Sequence, residues 1–93
     1  MPPAIPPAYL YHGTAEKNLQ SIFAEGINKG TRQYVHLSLD KETALKVGQR
    51  HGKPTIIVVR SGQMREDGIL FYLSENNVWL TDFVAAKYLE TKH

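Results

Sequence analysis

The chain has 93 residues, with 11 lysines and arginines against 9 aspartates and glutamates, so its formal net charge is +2 with neutral histidines. This length suits one small domain, and a hydrophobic fraction of 42% is enough for a packed core and too high for a disordered chain. The lack of cysteine excludes a disulfide framework and a cysteine-ligated zinc site. No apolar run approaches the roughly 20 residues of a membrane span, and no signal-peptide pattern is present. We therefore expect a cytoplasmic protein with no membrane partner.

The first seven residues, MPPAIPP, carry four of the five prolines. Proline lacks a backbone donor, so residues 1–7 are predicted to form an extended lead-in at the edge of a domain of residues 8–93. The aromatic-rich segment 9–12 then predicts a strand, which Gly13 breaks.

The first helix is predicted at residues 15–25, with Thr14 as its N-cap and Gly26 at its end. Three apolar residues within it follow the i, i+3, i+4 spacing of a buried helix face. A strand is predicted at residues 34–38, where β-forming residues alternate.

The second helix is predicted at residues 41–51, and Asp40 is its expected cap. The β-branched segment 55–60 predicts a strand that is covered on both faces. Residues 61–68 are predicted to be a polar connection without regular structure.

Residues 71–74 and 78–81 flank an asparagine-rich turn and predict a hairpin. Residues 83–89 fit a short last strand or a helical turn, and their pattern does not decide between the two. Two helices in the first half, followed by strands alone, predict an α+β fold with mixed or antiparallel sheets.

His12, Gly13 and Thr14 form the first candidate site, where a strand end meets the predicted helix start. Glycine admits a ligand close to the backbone, and free amides at a helix N-terminus bind anions. The pattern fits an anion or ribose site, and it also fits an ordinary capped turn. His36 and Ser38 are two residues apart and are expected on one face of their strand, in a structural or a ligand-binding role.

Arg50 lies at the predicted end of the second helix, close to two lysines. Its planar guanidinium suits phosphate, although a cation at this position also balances the helix dipole. The histidines show no metal-site spacing, so no metal is predicted, and neither a GxGxxG motif nor a P-loop is present. The residues by themselves indicate a small α+β domain with a candidate anion site.

Four short segments then occur in a specific order: YHGT at residues 11–14, VHLS at 35–38, VGQRHG at 47–52 and VWLT at 78–81. Together they resemble the C-terminal lobe of the RNA 2′-phosphotransferase family, whose members remove a splice-junction 2′-phosphate from tRNA. The similarity extends over about residues 6–89.

The resemblance implies an ADP-ribosyltransferase-like fold that binds NAD+ as a co-substrate without a Rossmann motif. By this analogy His12, Gly13 and Thr14 hold the ADP-ribose part of NAD+. His36 and Ser38 would line the pocket of the nicotinamide ribose.

The resemblance also assigns roles to two further residues. Val78 would be the apolar third member of a three-position signature, after His12 and His36, where many protein-modifying ADP-ribosyltransferases carry a glutamate. Arg50 would match the family's essential arginine and is the expected catalytic residue. The implied reaction transfers the 2′-phosphate to ADP-ribose, giving ADP-ribose 1″,2″-cyclic phosphate and nicotinamide. A phosphate monoester is already anionic at neutral pH and needs no general base to attack.

Members of the family also carry an N-terminal winged-helix-like lobe that this sequence lacks. We therefore expect weak NAD+ binding and little phosphate transfer by these residues alone. The partner that the resemblance implies is a 2′-phosphorylated, tRNA-like RNA. Two alternatives stay open: a stand-alone ADP-ribosyltransferase acting on a nucleic-acid end or a protein, and a non-catalytic NAD+- or RNA-binding module. The sequence does not indicate an oligomeric state.

Overall fold

Two three-stranded antiparallel sheets and three short helices make up the computed structural model, which describes residues 1–50 and 52–91. In chain order the elements are β1 (Leu10–Ala15), a first 3₁₀ turn (Glu16–Asn18), α1 (Leu19–Glu25), β2 (Val35–Leu37), α2 (Lys41–Gln49), β3 (Pro54–Val59), α3 (Ser61–Glu66), β4 (Tyr72–Leu73), β5 (Trp79–Thr81), a second 3₁₀ turn (Ala86–Tyr88) and β6 (Leu89–Thr91). The predicted α+β class and its antiparallel sheets are confirmed. Within the described ranges, no helix has the length and apolar character needed to cross a membrane.

The first sheet has the strand order β1-β3-β6. Its central strand, β3, is the β-branched segment of the sequence, and none of its residues is fully exposed. Ile57 and Val59 are completely buried, because helices and loops cover the faces of a strand that has neighbours on both edges. This confirms the predicted covered strand.

The second sheet has the order β2-β5-β4, and β4 and β5 form the predicted hairpin. Asn77 has a φ of 62° in the connecting turn, a left-handed conformation that asparagine tolerates better than most residues. Trp79 of β5 pairs with Leu37 of β2, and both side chains are buried. The hairpin therefore supports the strand that carries His36.

A backbone pair outside the named ladders joins the two sheets. The amide of Tyr11 donates to the carbonyl of Ser38 at 2.9 Å, and the amide of Ser38 donates back to Tyr11 at 2.8 Å. The pair brings β1 beside the end of β2.

Helix α2 packs directly onto β1. Asp40 caps it as predicted, because its carboxylate accepts the Thr43 amide at 2.7 Å. A β-carbon added to Gly13 would lie 1.6 Å from the carbonyl oxygen of Ala44, so the strand and the helix touch through their backbones at this point. The helix ends at Gln49. Its predicted continuation reaches His51, which lies outside the described residues.

The prediction that Thr14 caps the first helix is wrong. Strand β1 continues through Thr14 to Ala15, because both residues stay paired with β3. The chain then makes a 3₁₀ turn, and α1 begins only at Leu19. The Thr14 hydroxyl accepts a hydrogen bond at 3.1 Å from the side-chain amide of Asn18. Thr14 therefore keeps its place in the β-ladder and does not act as a helix cap. Gly26, with a φ of 88°, ends the helix as predicted.

Two later segments also depart from the sequence analysis. Residues 61–68 contain helix α3 rather than a polar connection, because Met64 and Ser61 are fully buried against the core and fix one short helical segment. The undecided segment 83–89 forms a 3₁₀ turn and then enters β6. The lead-in is held to the domain at Ala4, which pairs with Phe71, and at Pro7, whose carbonyl accepts the Ser61 hydroxyl at 2.8 Å.

Candidate functional site

A cavity of about 250 Å³ lies where β1, the first 3₁₀ turn and β2 meet. We call it the histidine cavity. Its lining residues are His12, Gly13, Thr14, Asn18, Ile27, Asn28, Lys29, Arg32, Tyr34, Val35, His36 and Val47. The structure therefore brings together four of the six residues proposed to bind the co-substrate. They come from two parts of the sequence, because Thr14 and His36 are 22 positions apart.

The two histidines reach this cavity from different sheets. His12 lies on β1, and its Nδ1 atom donates to the backbone carbonyl of His36 at 3.3 Å. His36 lies between Val35 and Leu37, both buried, so strand alternation turns its own side chain outward. The ladder positions of β1 and β2 thus fix both imidazole rings.

Arg32 defines the protonation of His36. Its Nη1 atom lies 2.6 Å from Nδ1 of His36, and a guanidinium can only donate hydrogen bonds. Nδ1 of His36 must therefore be the acceptor, which places the proton of the neutral ring on Nε2. His12 donates through its own Nδ1, to the backbone carbonyl of His36.

The same contact affects the charge of His36. Partial burial removes water from the imidazolium, and the positive charge of Arg32 adds repulsion, so both effects lower the pKa of His36 from 6.5. The ring is thereby kept neutral at physiological pH. A neutral histidine beside an arginine leaves the guanidinium as the local positive charge available to an anion.

Gly13 and Thr14 line the cavity with their backbone, and the reason for the glycine differs from the one predicted. Helix α2 occupies the place where a side chain of Gly13 would be, so the glycine allows a helix, rather than a ligand, to approach closely. Thr14 belongs to strand β1, and the 3₁₀ turn Glu16–Asn18 lies between this strand and α1, so Thr14 does not stand at the N-terminus of α1.

Ser38 and Val78 lie together, but in a second cavity of about 410 Å³. Strand β2 ends at Leu37, and Ser38 is paired with Tyr11 instead of continuing the strand. His36 and Ser38 consequently line different cavities, although their spacing predicts a shared face.

Arg50 is exposed at the C-terminal end of α2, and its amide donates to the carbonyl of Val47 at 3.2 Å. Val47 lines the histidine cavity, whereas Arg50 is not among its lining residues. Two positions before Arg50, Gly48 lies against the backbone of Thr14. Arg50 is therefore near the site along the helix without contributing to the cavity wall.

Sequence reasoning missed the polar residues that arrive from the loop between α1 and β2. Arg32 and Lys29 supply two cations to the cavity, and Asn28 adds an amide. Lys29 forms an ion pair with Asp82 at 2.8 Å. The one sequence feature that could have indicated their contact is the four-residue spacing of Arg32 and His36. In a loop such a spacing does not predict a contact, because the path of the chain is not known from the sequence.

Comparison with known proteins identifies the group to which this chain is similar. The family model described as "RNA 2'-phosphotransferase, Tpt1 / KptA family" matches residues 2–83. A Flavobacterium johnsoniae protein named "Probable RNA 2'-phosphotransferase" is 63% identical over 87 residues, which are 94% of this chain and 48% of that protein. Proteins of the same name are 57% identical over 88 residues in Agrobacterium fabrum, covering 95% and 47%, and 47% identical over 89 residues in Pectobacterium carotovorum, covering 96% and 48%.

The chain therefore spans about half the length of the curated relatives that it matches. The range matched by the family model contains both histidine segments and every residue that lines the histidine cavity. The extent of the family match, together with identities of 47% to 63%, shows that the chain belongs to the RNA 2′-phosphotransferase family.

Proposed function

We propose that residues 8–93 form an NAD+-binding lobe of an RNA 2′-phosphotransferase, with an ADP-ribosyltransferase-like fold. The observation that carries the proposal is that His12 and His36, from two different sheets, line one cavity. Two cationic side chains and two side-chain amides line the same cavity: Lys29, Arg32, Asn18 and Asn28. The names of the relatives supply the reaction class, which is removal of a 2′-phosphate from RNA.

The chemistry of the cavity suits part of a dinucleotide. Lys29 offers positive charge to a diphosphate, and Asn18 and Asn28 offer amide groups to ribose hydroxyls. Arg32, beside His36, offers positive charge to an incoming phosphate. Its volume of about 250 Å³ is below the roughly 300–1,000 Å³ of typical small-molecule sites. We therefore propose that it holds the ribose and diphosphate portion of NAD+, while the bases extend beyond it.

The proposed residue roles follow this placement. His12, Gly13 and Thr14 hold the ADP-ribose part, and His36 lies at the nicotinamide ribose. Ser38 and Val78 would complete that end of the site from the neighbouring cavity. An apolar Val78 suits an anionic nucleophile, because a carboxylate at this position would repel the incoming phosphate.

NAD+ supplies the ADP-ribose acceptor and the nicotinamide leaving group. An oxygen of the RNA 2′-phosphate would bond to the ribose carbon as nicotinamide leaves. The adjacent ribose hydroxyl would then attack phosphorus and release the RNA 2′-oxygen, which takes a proton. Arg50 would stabilise the phosphate oxygens during this transfer, a role whose loss costs about 3 kcal/mol of barrier for one donor group. We place this reaction in the cytoplasm, where a 2′-phosphorylated tRNA-like substrate and NAD+ meet.

The test is binding of NAD+ by the chain, followed by turnover of a 2′-phosphorylated RNA. Calorimetry should detect weak NAD+ binding that His12→Ala reduces at least tenfold. If His12→Ala binds NAD+ as tightly as the parent chain, the histidine cavity is not the dinucleotide site.

Turnover separates the phosphotransferase from the other functions. Cyclic phosphate product would support phosphate removal. Arg50→Ala should decrease this product, whereas Arg65→Ala, at an exposed residue of α3, should leave it unchanged. Label from NAD+ retained on an RNA end or a protein would indicate a stand-alone ADP-ribosyltransferase instead. Binding without any product would indicate a non-catalytic module.

A further inference from the structure

A groove of about 560 Å³ runs alongside the histidine cavity, and we call it the tyrosine groove. Its lining includes Arg32, Gln33, Tyr34, His36, Asn76 and Val78. Arg32, Tyr34 and His36 also line the histidine cavity, so the two spaces adjoin at these residues.

Tyr34 provides this groove with an ordered aromatic surface. Its ring lies 5.7 Å from that of Tyr72, centroid to centroid, at an interplanar angle of 50°. Such tilted aromatic contacts are favourable, and this one restrains the Tyr34 ring while leaving the residue half-buried. A platform held in this way loses little conformational freedom when a planar ligand stacks on it.

The groups around the platform match a nucleotide. Arg32 retains guanidinium donors beyond the one that contacts His36, and these suit a phosphate. The amides of Gln33 and Asn76 both donate and accept, so they can meet the edge of any base. An aromatic face, a cation and unselective amides are the features of single-stranded nucleic-acid sites.

We propose that the tyrosine groove binds an RNA nucleobase next to the 2′-phosphate, stacked on Tyr34, with the phosphate held near Arg32. This inference rests on the proposed function. If the dinucleotide fills the histidine cavity, an attacking phosphate must reach the reacting ribose from another side. The tyrosine groove opens onto the same His36 from such a side. RNA is therefore favoured over a base of NAD+ as the occupant.

The experiment measures fluorescence anisotropy of a short oligoribonucleotide that carries one internal 2′-phosphate, titrated with the full chain. Tyr34→Leu removes the aromatic face and keeps apolar volume, and it should weaken RNA binding about tenfold or more, the size of one base–aromatic stacking contact. Tyr34→Phe should bind like the parent. Tyr9→Leu, at an exposed tyrosine outside the groove, is the matched control and should also bind like the parent.

A second arm leaves the protein unchanged. Replacing the bases next to the 2′-phosphate by abasic sites should weaken binding to the parent chain as much as Tyr34→Leu does, and should add nothing to that variant. Equal RNA affinities for the parent and for Tyr34→Leu, undiminished affinity for the abasic RNA, or no RNA binding by the parent would each overturn the inference.

NAD+ titrations separate this inference from the proposed function. Tyr34 borders both spaces, so the NAD+ affinity of Tyr34→Leu is measured beside its RNA affinity, and the loss of RNA affinity should be the larger of the two. A loss of NAD+ affinity that equals or exceeds the loss of RNA affinity would assign the stacked base to NAD+ and refute an RNA site. If the parent binds RNA through Tyr34 but does not bind NAD+, the proposed function fails and the nucleobase site stands.

Discussion

Gly13→Ala tests whether close contact between β1 and α2 organises the candidate site. The added β-carbon would lie 1.6 Å from the carbonyl oxygen of Ala44 and 2.6 Å from its carbonyl carbon. Both are backbone atoms of a helix, so no side-chain rotation can relieve the overlap. Helix α2 must move away from β1, and Val47 on that helix lines the histidine cavity.

The expected loss of stability follows from how closely the added β-carbon approaches these backbone atoms. Overpacking of a core costs about 1–3 kcal/mol, and an overlap with backbone belongs at the upper end, about 3 kcal/mol. Since each kcal/mol shifts the melting temperature of a domain this small by about 4–8 °C, Gly13→Ala should lower it by roughly 12–24 °C. NAD+ affinity should fall as well, because the cavity wall shifts.

Gly48→Ala is the matched comparison on the other side of the same contact. Its β-carbon would lie 2.8 Å from the carbonyl oxygen of Thr14, a milder overlap. Alanine also favours a helix over glycine by about 1 kcal/mol, which offsets part of the cost. Thermal unfolding followed by circular dichroism should therefore rank the parent above Gly48→Ala and Gly48→Ala above Gly13→Ala. A Gly13→Ala chain that melts within about 2 °C of the parent would refute the packing argument.

Two further predictions concern His36 and the hairpin. Because the pKa of folded His36 is lowered from 6.5, the unfolded chain binds its proton first, so the free energy of unfolding should decrease as the pH falls from 6.5 through the folded pKa. Arg32→Gln should raise the pKa of His36 in an NMR titration of its imidazole, and an unchanged value would contradict the electrostatic assignment. Asn77→Val should destabilise the chain by about 1–2 kcal/mol, because a β-branched residue is strained at a φ of 62°, whereas Asn77→Gly should not. Chemical denaturation of both variants measures this difference, and equal midpoints would count against a strained turn.

Elements with strong local signals were predictable from the sequence. Asp40 was identified as a cap because its side chain can bond to an amide three residues later, which depends on nothing outside the helix. The β3 strand and the β4–β5 hairpin were also identified, since β-branching and a turn residue act locally. The α+β class followed from the order of these elements.

The prediction failed where distant pairing decides local structure. Thr14 is a good cap by residue type, but its pairing with Thr55, 41 positions away, keeps it in a strand. Helix α3 was not predicted because its sequence is mostly polar and only one of its two buried residues, Met64, is apolar. A local pattern cannot report contacts that exist only after the sheets have assembled.

The candidate site, too, was predictable where local patterns decide and unpredictable where distant contacts decide. His12 and His36 were correctly singled out as residues at strand positions, and the resemblance placed them in one site. Their meeting depends on the pairing of Tyr11 with Ser38 across two sheets, which no spacing rule contains. Arg32 was not assigned a role, because its position beside His36 is set by the path of a loop.

The backbone pair of Tyr11 and Ser38 joins the two segments that contain the histidines, residues 11–14 and 35–38. Both residues use only backbone groups to join the sheets, so this contact sets the separation of the imidazoles without requiring particular side chains. Ser38 also lines the second cavity, together with Val78. If Ser38 acted only through its backbone, Ser38→Ala would leave NAD+ affinity and stability unchanged. Reduced affinity with unchanged stability would instead show that the second cavity belongs to the dinucleotide site.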